Sequence, residues 1–191
     1  MKLKIETIRE WLHGFIWQDI FKSTKKKSFI QDTLKNCFIF QNMRANELRY
    51  LEKIVHTRDY AADELIFKEN ERGTGLYIIA SGQVAIRIDK KQEQVTTLLP
   101  GTFFGEQAII EADSVRTASA YAIEPTTLVA LLKPDLVDIV NRNPTLGVKI
   151  VLQLAIVLSR RLRETTEKIT KLSSHALSEY KVENIKVKDV A

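Results

Sequence analysis

Between Lys91 and Lys133 the sequence carries one basic residue, Arg116. It follows a tight run, Pro100-Gly101-Thr102-Phe103-Phe104-Gly105-Glu106-Gln107-Ala108, that contains one carboxylate. Arg116 offers a planar, permanently charged fork that can grip a phosphate through two parallel hydrogen bonds. Glu106, an acceptor only when ionised, suits a pair of hydroxyls. Gly105 permits close backbone approach, and a helical turn beginning at Glu106 would aim free N–H groups at an anion. An anion beside a diol in one compact pocket describes a sugar phosphate or a nucleotide. The same spacing also serves an ion pair across a turn, with Gly105 making the bend, and residue types alone leave both readings open.

Other chemistry finds little support. His13, His56 and His175 are scattered, fit neither a metal triad nor the paired histidines of a metal-dependent jelly-roll enzyme, and read as surface or interface residues. Cys37 is the one cysteine, which excludes an internal disulfide and a four-thiolate cluster and fits a reducing compartment. No Ser/His/Asp grouping or Gly-Lys-Ser phosphate loop is present. No metal and no cofactor are expected, and no catalytic role.

The chain has 191 residues, 45% of them apolar, and a formal charge of +5, an ordinary globular composition for one core with additional helices. Residues 1–35 carry net +4, residues 36–144 net −3 and residues 145–191 net +4. A negative centre is a poor footprint for nucleic acid, which requires clustered Lys and Arg. The opening Met1-Lys2-Leu3-Lys4 leads into no apolar leader, so a soluble, cytoplasmic chain without membrane contact is expected. Trp11, Phe15, Trp17 and Phe21, beside the lysines of 22–27, read as a helix packed on its own domain with a solvated basic face.

These residues need a scaffold. Ile5, Ile8, Leu12, Phe15, Ile16 and Ile20 predict a helix over 3–22; further helices are expected near 28–35 and over 45–55. From 56 to 132 the period changes. Short β-rich runs at 64–68, 75–80, 84–88, 93–99, 115–121 and 126–132 alternate with turn residues, which predicts an antiparallel double-sheet structure, a jelly roll. Helical spacing returns at Asp135–Asn141, and Pro144 stands where a first helical residue is favoured, ahead of a long helix to about Ser173. The polar tail 174–191 is assigned no structure.

Phe103-Phe104-Gly105-Glu106-Gln107-Ala108, with Val115-Arg116-Thr117-Ala118 downstream, resembles the phosphate-binding cassette of the cyclic-nucleotide-binding domain family. Leu65-Ile66-Phe67-Lys68-Glu69-Asn70 and Gly75-Leu76-Tyr77-Ile78-Ile79-Ala80-Ser81-Gly82-Gln83-Val84 resemble its early strands, so the similarity covers roughly residues 34–172. The resemblance implies that Glu106 accepts the ribose 2′-hydroxyl and that Arg116 pairs with the cyclic phosphate. Backbone N–H groups around Gly105, Gln107, Ala108 and Ala118 would complete the cradle. Thr117 would touch phosphate or a syn guanine, or serve as an ordinary strand threonine. Two positions depart from the family pattern. Asn70 stands where a glycine is usual, though Asn tolerates a left-handed backbone, and Gln107 stands where an apolar residue is usual.

Val148, Val151, Ala155, Leu158, Leu162, Thr165, Ile169, Leu172 and Ala176 step alternately by three and four, a coiled-coil seam with Thr165 as its one polar member. A second stripe, Leu146, Ile150, Leu154 and Val157, gives the helix another face to bury. The stretch from Leu158 to Ile169 is similar to the dimer helix of catabolite activator proteins, which implies that Thr165 and Thr166 reach the adenine base from both subunits. That family continues into a helix-turn-helix domain, for which the residues after Ser173 are too few, so sequence-specific DNA binding is not expected. The expected organisation is an α+β chain: an N-terminal helical extension (1–35), a ligand-binding β-roll with flanking helices (36–144), a long dimerisation helix (145–173) and a polar tail (174–191). The expected function is a homodimeric regulatory module that binds cAMP in preference to cGMP and signals to a protein partner. The alternative is an interaction scaffold whose β-roll binds no nucleotide.

Overall fold

The computed structural model describes residues 29–88, 93–111 and 113–188. The helix expected over 3–22 and its aromatic and lysine residues lie outside them. Two compact units are present, divided between Ile150 and Val151.

In the first unit, α1 (29–36) and α2 (Ala45–Glu52) precede eight strands. These are β1 (His56–Tyr60), β2 (Leu65–Phe67), β3 (Gly75–Ser81), β4 (Val84–Ile88), β5 (Glu93–Leu98), β6 (Phe103–Phe104), β7 (Ser119–Ala122) and β8 (Thr126–Leu132). The short helix α3 (Gln107–Ile110) lies between β6 and β7; α4 (Lys133–Arg142) and α5 (Pro144–Lys188) follow β8. The strands form two four-stranded sheets ordered β1-β8-β3-β6 and β2-β7-β4-β5, with every pairing antiparallel. This is the jelly roll expected from short, evenly spaced strands.

Both sheets supply the core. Tyr60, Ile79, Val84, Phe104, Ala120, Ala122 and Leu128 form one buried cluster, with Ile66, Phe67, Tyr77, Ile86 and Leu98 packed against it. β1 has no apolar alternation, because it is an edge strand paired only with β8 and most of its side chains are exposed. The segment 115–118, expected to begin a strand, does not. Val115 makes only an isolated bridge with Arg72, and β7 starts at Ser119.

Helix ends follow local chemistry. Asp135 accepts the Leu132 N–H at 3.2 Å at the start of α4. Asn143 accepts the Leu146 N–H at 3.2 Å, with Pro144 opening α5. Lys149 on the first turns of α5 bonds Glu47 on α2, whose carboxylate also accepts the Arg44 N–H. Burial opposes that carboxylate's charge, but these two bonds outweigh it and hold its pKa below the usual range. Cys37 is fully buried and its thiol is pushed up to about 12, mainly by desolvation, so it is inert as a nucleophile.

The second unit is the rest of α5. It continues to Lys188, through the tail to which the sequence reading assigned no structure. Glu and Lys, which lose little rotamer freedom in a helix, recur through that tail, so helix formation there needs no apolar stripe. Val151, Ala155, Leu162, Thr165 and Ile169 of the expected seam are exposed, as is Val148 in the first unit. Leu152 and Ile156, outside that seam, are also exposed. Among the described residues, no helix is long and apolar enough to cross a membrane.

Candidate functional site

The site begins where β6 ends. Phe103 and Phe104 are buried, and Gly105, at φ +73°, turns the chain out of the strand into α3. Few residues other than glycine adopt that backbone, and a Cβ here would lie 2.4 Å from Arg116 Nη1. Glu106 follows with 5% exposure, and its carbonyl accepts the Ile109 N–H at 3.2 Å. Ala108 is buried, and its N–H donates to the Gly105 carbonyl at 3.3 Å. Gln107 is exposed, so its amide meets water and leaves the α3 turn intact.

Arg116 comes from the opposite direction, held by the β2–β3 loop. Its N–H donates to Glu71 O at 2.8 Å and its carbonyl accepts the Asn70 N–H at 2.8 Å. Gly73 N–H donates to Ser114 O at 2.9 Å. Asn70 takes the left-handed conformation, φ +67°, that its position requires. The Arg116 side chain runs inward to 5% exposure. There Nη1 donates to Gly105 O at 2.9 Å and Nη2 to Gly75 O at 3.0 Å. Nε is buried without a hydrogen-bond partner.

That orphan is the most informative atom of the site. A buried charged donor without an acceptor costs on the order of 1 to 3 kcal/mol or more, which an acceptor reaching it would recover. Burial pushes the arginine's pKa down, while Tyr77 and the carboxylates of Glu106 and Glu71 support the charged form. Nε also lies beside Gly73. A methyl there would come within 3.3 Å of Nε and overlap the Ala108 Cβ at 2.2 Å. The arrangement can accept an anion along the Nε edge with a carboxylate close by, which is the chemistry of a phosphate ester bearing a hydroxyl.

The structure therefore brings Gly105, Glu106, Ala108 and Arg116 together. Thr117 is exposed and Ala118 is half-buried. Thr165 and Thr166 belong to the second unit, where their hydroxyls donate to Arg161 O at 2.8 Å and Leu162 O at 2.9 Å. Sequence reasoning gave Gly73, Gly75, Phe67 and Tyr77 no part in the site, with the last three placed only on the early strands. The two glycines flanking Thr74 were the available signal, since a close-packed turn needs them.

A groove of about 680 Å³ beside α4, lined by Thr74, Leu132, Lys133, Val137 and other residues, shares Gly73 with the site but none of its charged groups. Convergent polar atoms identify a ligand site better than volume does. Among the described residues, no group of three or more His, Cys, Asp or Glu could hold a metal ion.

Comparison with known proteins agrees with this geometry. The family model for the cyclic nucleotide-binding domain matches residues 57–143. The cyclic AMP receptor protein of Thermus thermophilus is 30% identical over 143 residues, covering 73% of this chain and 64% of the relative. Mouse cyclic nucleotide-gated channel alpha-4 is 30% identical over 149 residues, covering 75% of this chain but 24% of the channel. The crystal structure of Thermus thermophilus catabolite activator protein superposes with a TM-score of 0.63 at 31% identity, over 71% of this chain and 62% of that one. The chain thus spans less than two thirds of these relatives' lengths. The matched segment contains the whole Gly105–Arg116 constellation, so the part of the chain that resembles the cyclic nucleotide-binding domain family, residues 57–143, is the part that carries the site.

Proposed function

We propose that this chain is a cyclic-nucleotide-responsive regulatory module, without catalytic activity of its own, that favours cAMP over cGMP. It works as a homodimer and passes ligand occupancy to a protein partner by rearranging its helices. The observation that carries the reading is the buried Arg116, whose Nε lacks an acceptor beside the Gly105–Glu106 turn. Arg116 takes the cyclic phosphate, Glu106 the ribose 2′-hydroxyl, and the backbone around Gly105, Gln107, Ala108 and Ala118 lines the anion. Occupancy shifts a helix equilibrium only as far as the ligand's affinities for the two states differ. Calorimetric titration of the full chain with cAMP and with cGMP tests the reading. Binding of neither nucleotide would leave a β-roll serving as an interaction scaffold.

The cAMP preference rests on Thr165 and Thr166, whose hydroxyls can accept from the adenine amino group, against Thr117, which can serve a syn guanine. The similarity to the Thermus cyclic AMP receptor protein favours the first. Thr165→Val and Thr166→Val should lower the cAMP-to-cGMP affinity ratio, whereas Thr117→Ala should leave it near the wild-type value. A ratio that moves only with Thr117 would place selectivity in the cassette.

Dimerisation is proposed through residues 148–176. Val148, Leu162 and Ile169 are 54%, 68% and 58% exposed in the chain alone, a large apolar area for a helix with no partner. Leu158→Glu combined with Leu162→Glu should give a folded monomer by light scattering, because two buried glutamates at adjacent seam layers cannot be accommodated. A wild type that is monomeric at tens of micromolar would refute the seam.

A further inference from the structure

A guanidinium held away from water needs more than two carbonyls to fix its plane. Arg116 has a second kind of contact. Its Cζ lies 4.1 Å from the Phe67 ring centroid and 5.5 Å from that of Tyr77. These rings and Phe104 form a trio with centroids 5.5 to 5.8 Å apart, contributed by β2, β3 and β6. The face of an aromatic ring is electron-rich, so a desolvated cation over it is stabilised while both remain dry. Gly105 O and Gly75 O then engage Nη1 and Nη2, and Nε is the donor left over.

We propose that Phe67, backed by Tyr77, is a positioning residue for the anion: it holds the Arg116 guanidinium face-on so that the Nε edge is the one offered to a phosphate. This rests on the cyclic-nucleotide reading above. An arginine already fixed by one ring and two carbonyls loses little rotamer freedom when the anion arrives, so more of the charge-pair energy appears as affinity. A ring serving only as core packing would contribute to stability and leave the guanidinium's orientation to the carbonyls. The two roles separate experimentally.

In ¹H–¹⁵N spectra of the full-length wild type, the Phe67 ring current should place the Arg116 Nε–H resonance, assigned by its loss in Arg116→Lys, upfield of the other arginines. Phe67→Leu should abolish that shift and weaken cAMP and cGMP alike by about tenfold, and Phe67→Tyr, which keeps a ring face, should recover most of the loss. Thermal unfolding reports any change in stability separately. Should Phe67→Leu fail to fold, the wild-type resonance and Phe67→Tyr still decide: an Nε–H at the ordinary arginine position overturns the proposal. So does a folded Phe67→Leu with wild-type affinity, or a Phe67→Tyr as weak as Phe67→Leu. In those cases nucleotide binding by the wild type and its loss in Arg116→Ala persist. A wild type that binds neither nucleotide fails before any variant is compared, and overturns the underlying reading together with the role of Phe67.

Discussion

Arg116→Ala should weaken binding of the cyclic nucleotide by between about 30-fold and about 5,000-fold, corresponding to the roughly 2 to 5 kcal/mol lost when one side of a buried charge pair is truncated. Three features place the expectation in the upper part of that span. Arg116 is 5% exposed as a residue, so its attraction for an anion is little screened. Its Nε has no other acceptor, so the phosphate displaces no existing bond there. Its two remaining nitrogens are already fixed on Gly105 O and Gly75 O. Arg116→Lys tests the same geometry more finely. A single ammonium keeps the charge but cannot serve two carbonyls and a bidentate anion at once, so binding should still fall by at least about tenfold. Calorimetry reads both, and wild-type affinity in Arg116→Ala would refute the phosphate assignment. Glu106→Ala adds an independent check. Wild type should bind 2′-deoxy-cAMP more weakly than cAMP, and Glu106→Ala should no longer distinguish them; a difference that survives the substitution would remove Glu106 from the ribose.

Much of the scaffold was legible in the sequence because strands of a double-sheet fold announce themselves by β-rich runs between turn residues. Residues 75–80, 84–88 and 126–132 met that description and became β3, β4 and β8 nearly to the residue. β1 was missed for a physical reason: an edge strand of sequence His-Thr-Arg-Asp-Tyr keeps charge toward solvent and has no alternation to read. Residues 115–118 misled in the opposite way. They look β-rich, but Arg116 turns inward and its backbone bonds to Glu71 and Asn70 of the facing loop instead of a ladder.

The site divided along the same line. Gly105 and Glu106 stood out in a tight turn, and Arg116 as the one basic residue between Lys91 and Lys133. The groups that hold Arg116 did not, because they act through atoms that residue identity does not reveal: the carbonyls of Gly75 and Gly105 and the ring face of Phe67. A phenylalanine on a short strand reads as core, and it is core. That its face also carries a cation depends on which way Arg116 bends after leaving the loop. Three-dimensional packing sets that bend, and no spacing rule encodes it.

Gly105→Ala and Gly73→Ala should damage the site from two sides without removing a ligand group. At Gly105 the added methyl lies 2.4 Å from Arg116 Nη1 on a backbone at φ +73°. A left-handed backbone costs an alanine about 1 to 2 kcal/mol, and relieving the clash means swinging the guanidinium off the Gly105 carbonyl. At Gly73 the methyl overlaps the Ala108 Cβ at 2.2 Å and crowds Arg116 Cζ at 3.2 Å, so α3 or the β2–β3 loop must give way. Each substitution should weaken nucleotide binding by more than about tenfold, since displacement of the clamp by less than 1 Å already breaks bidentate geometry. Gly101→Ala separates this from general strain. Gly101 is also left-handed, at φ +84°, but an added Cβ meets nothing closer than Asn36 O at 3.7 Å. That variant should lose a similar increment of thermal stability and keep its affinity. Equal affinity losses in all three would mean that backbone strain spreads through the whole β-roll; a loss confined to Gly73→Ala and Gly105→Ala locates the effect at Arg116.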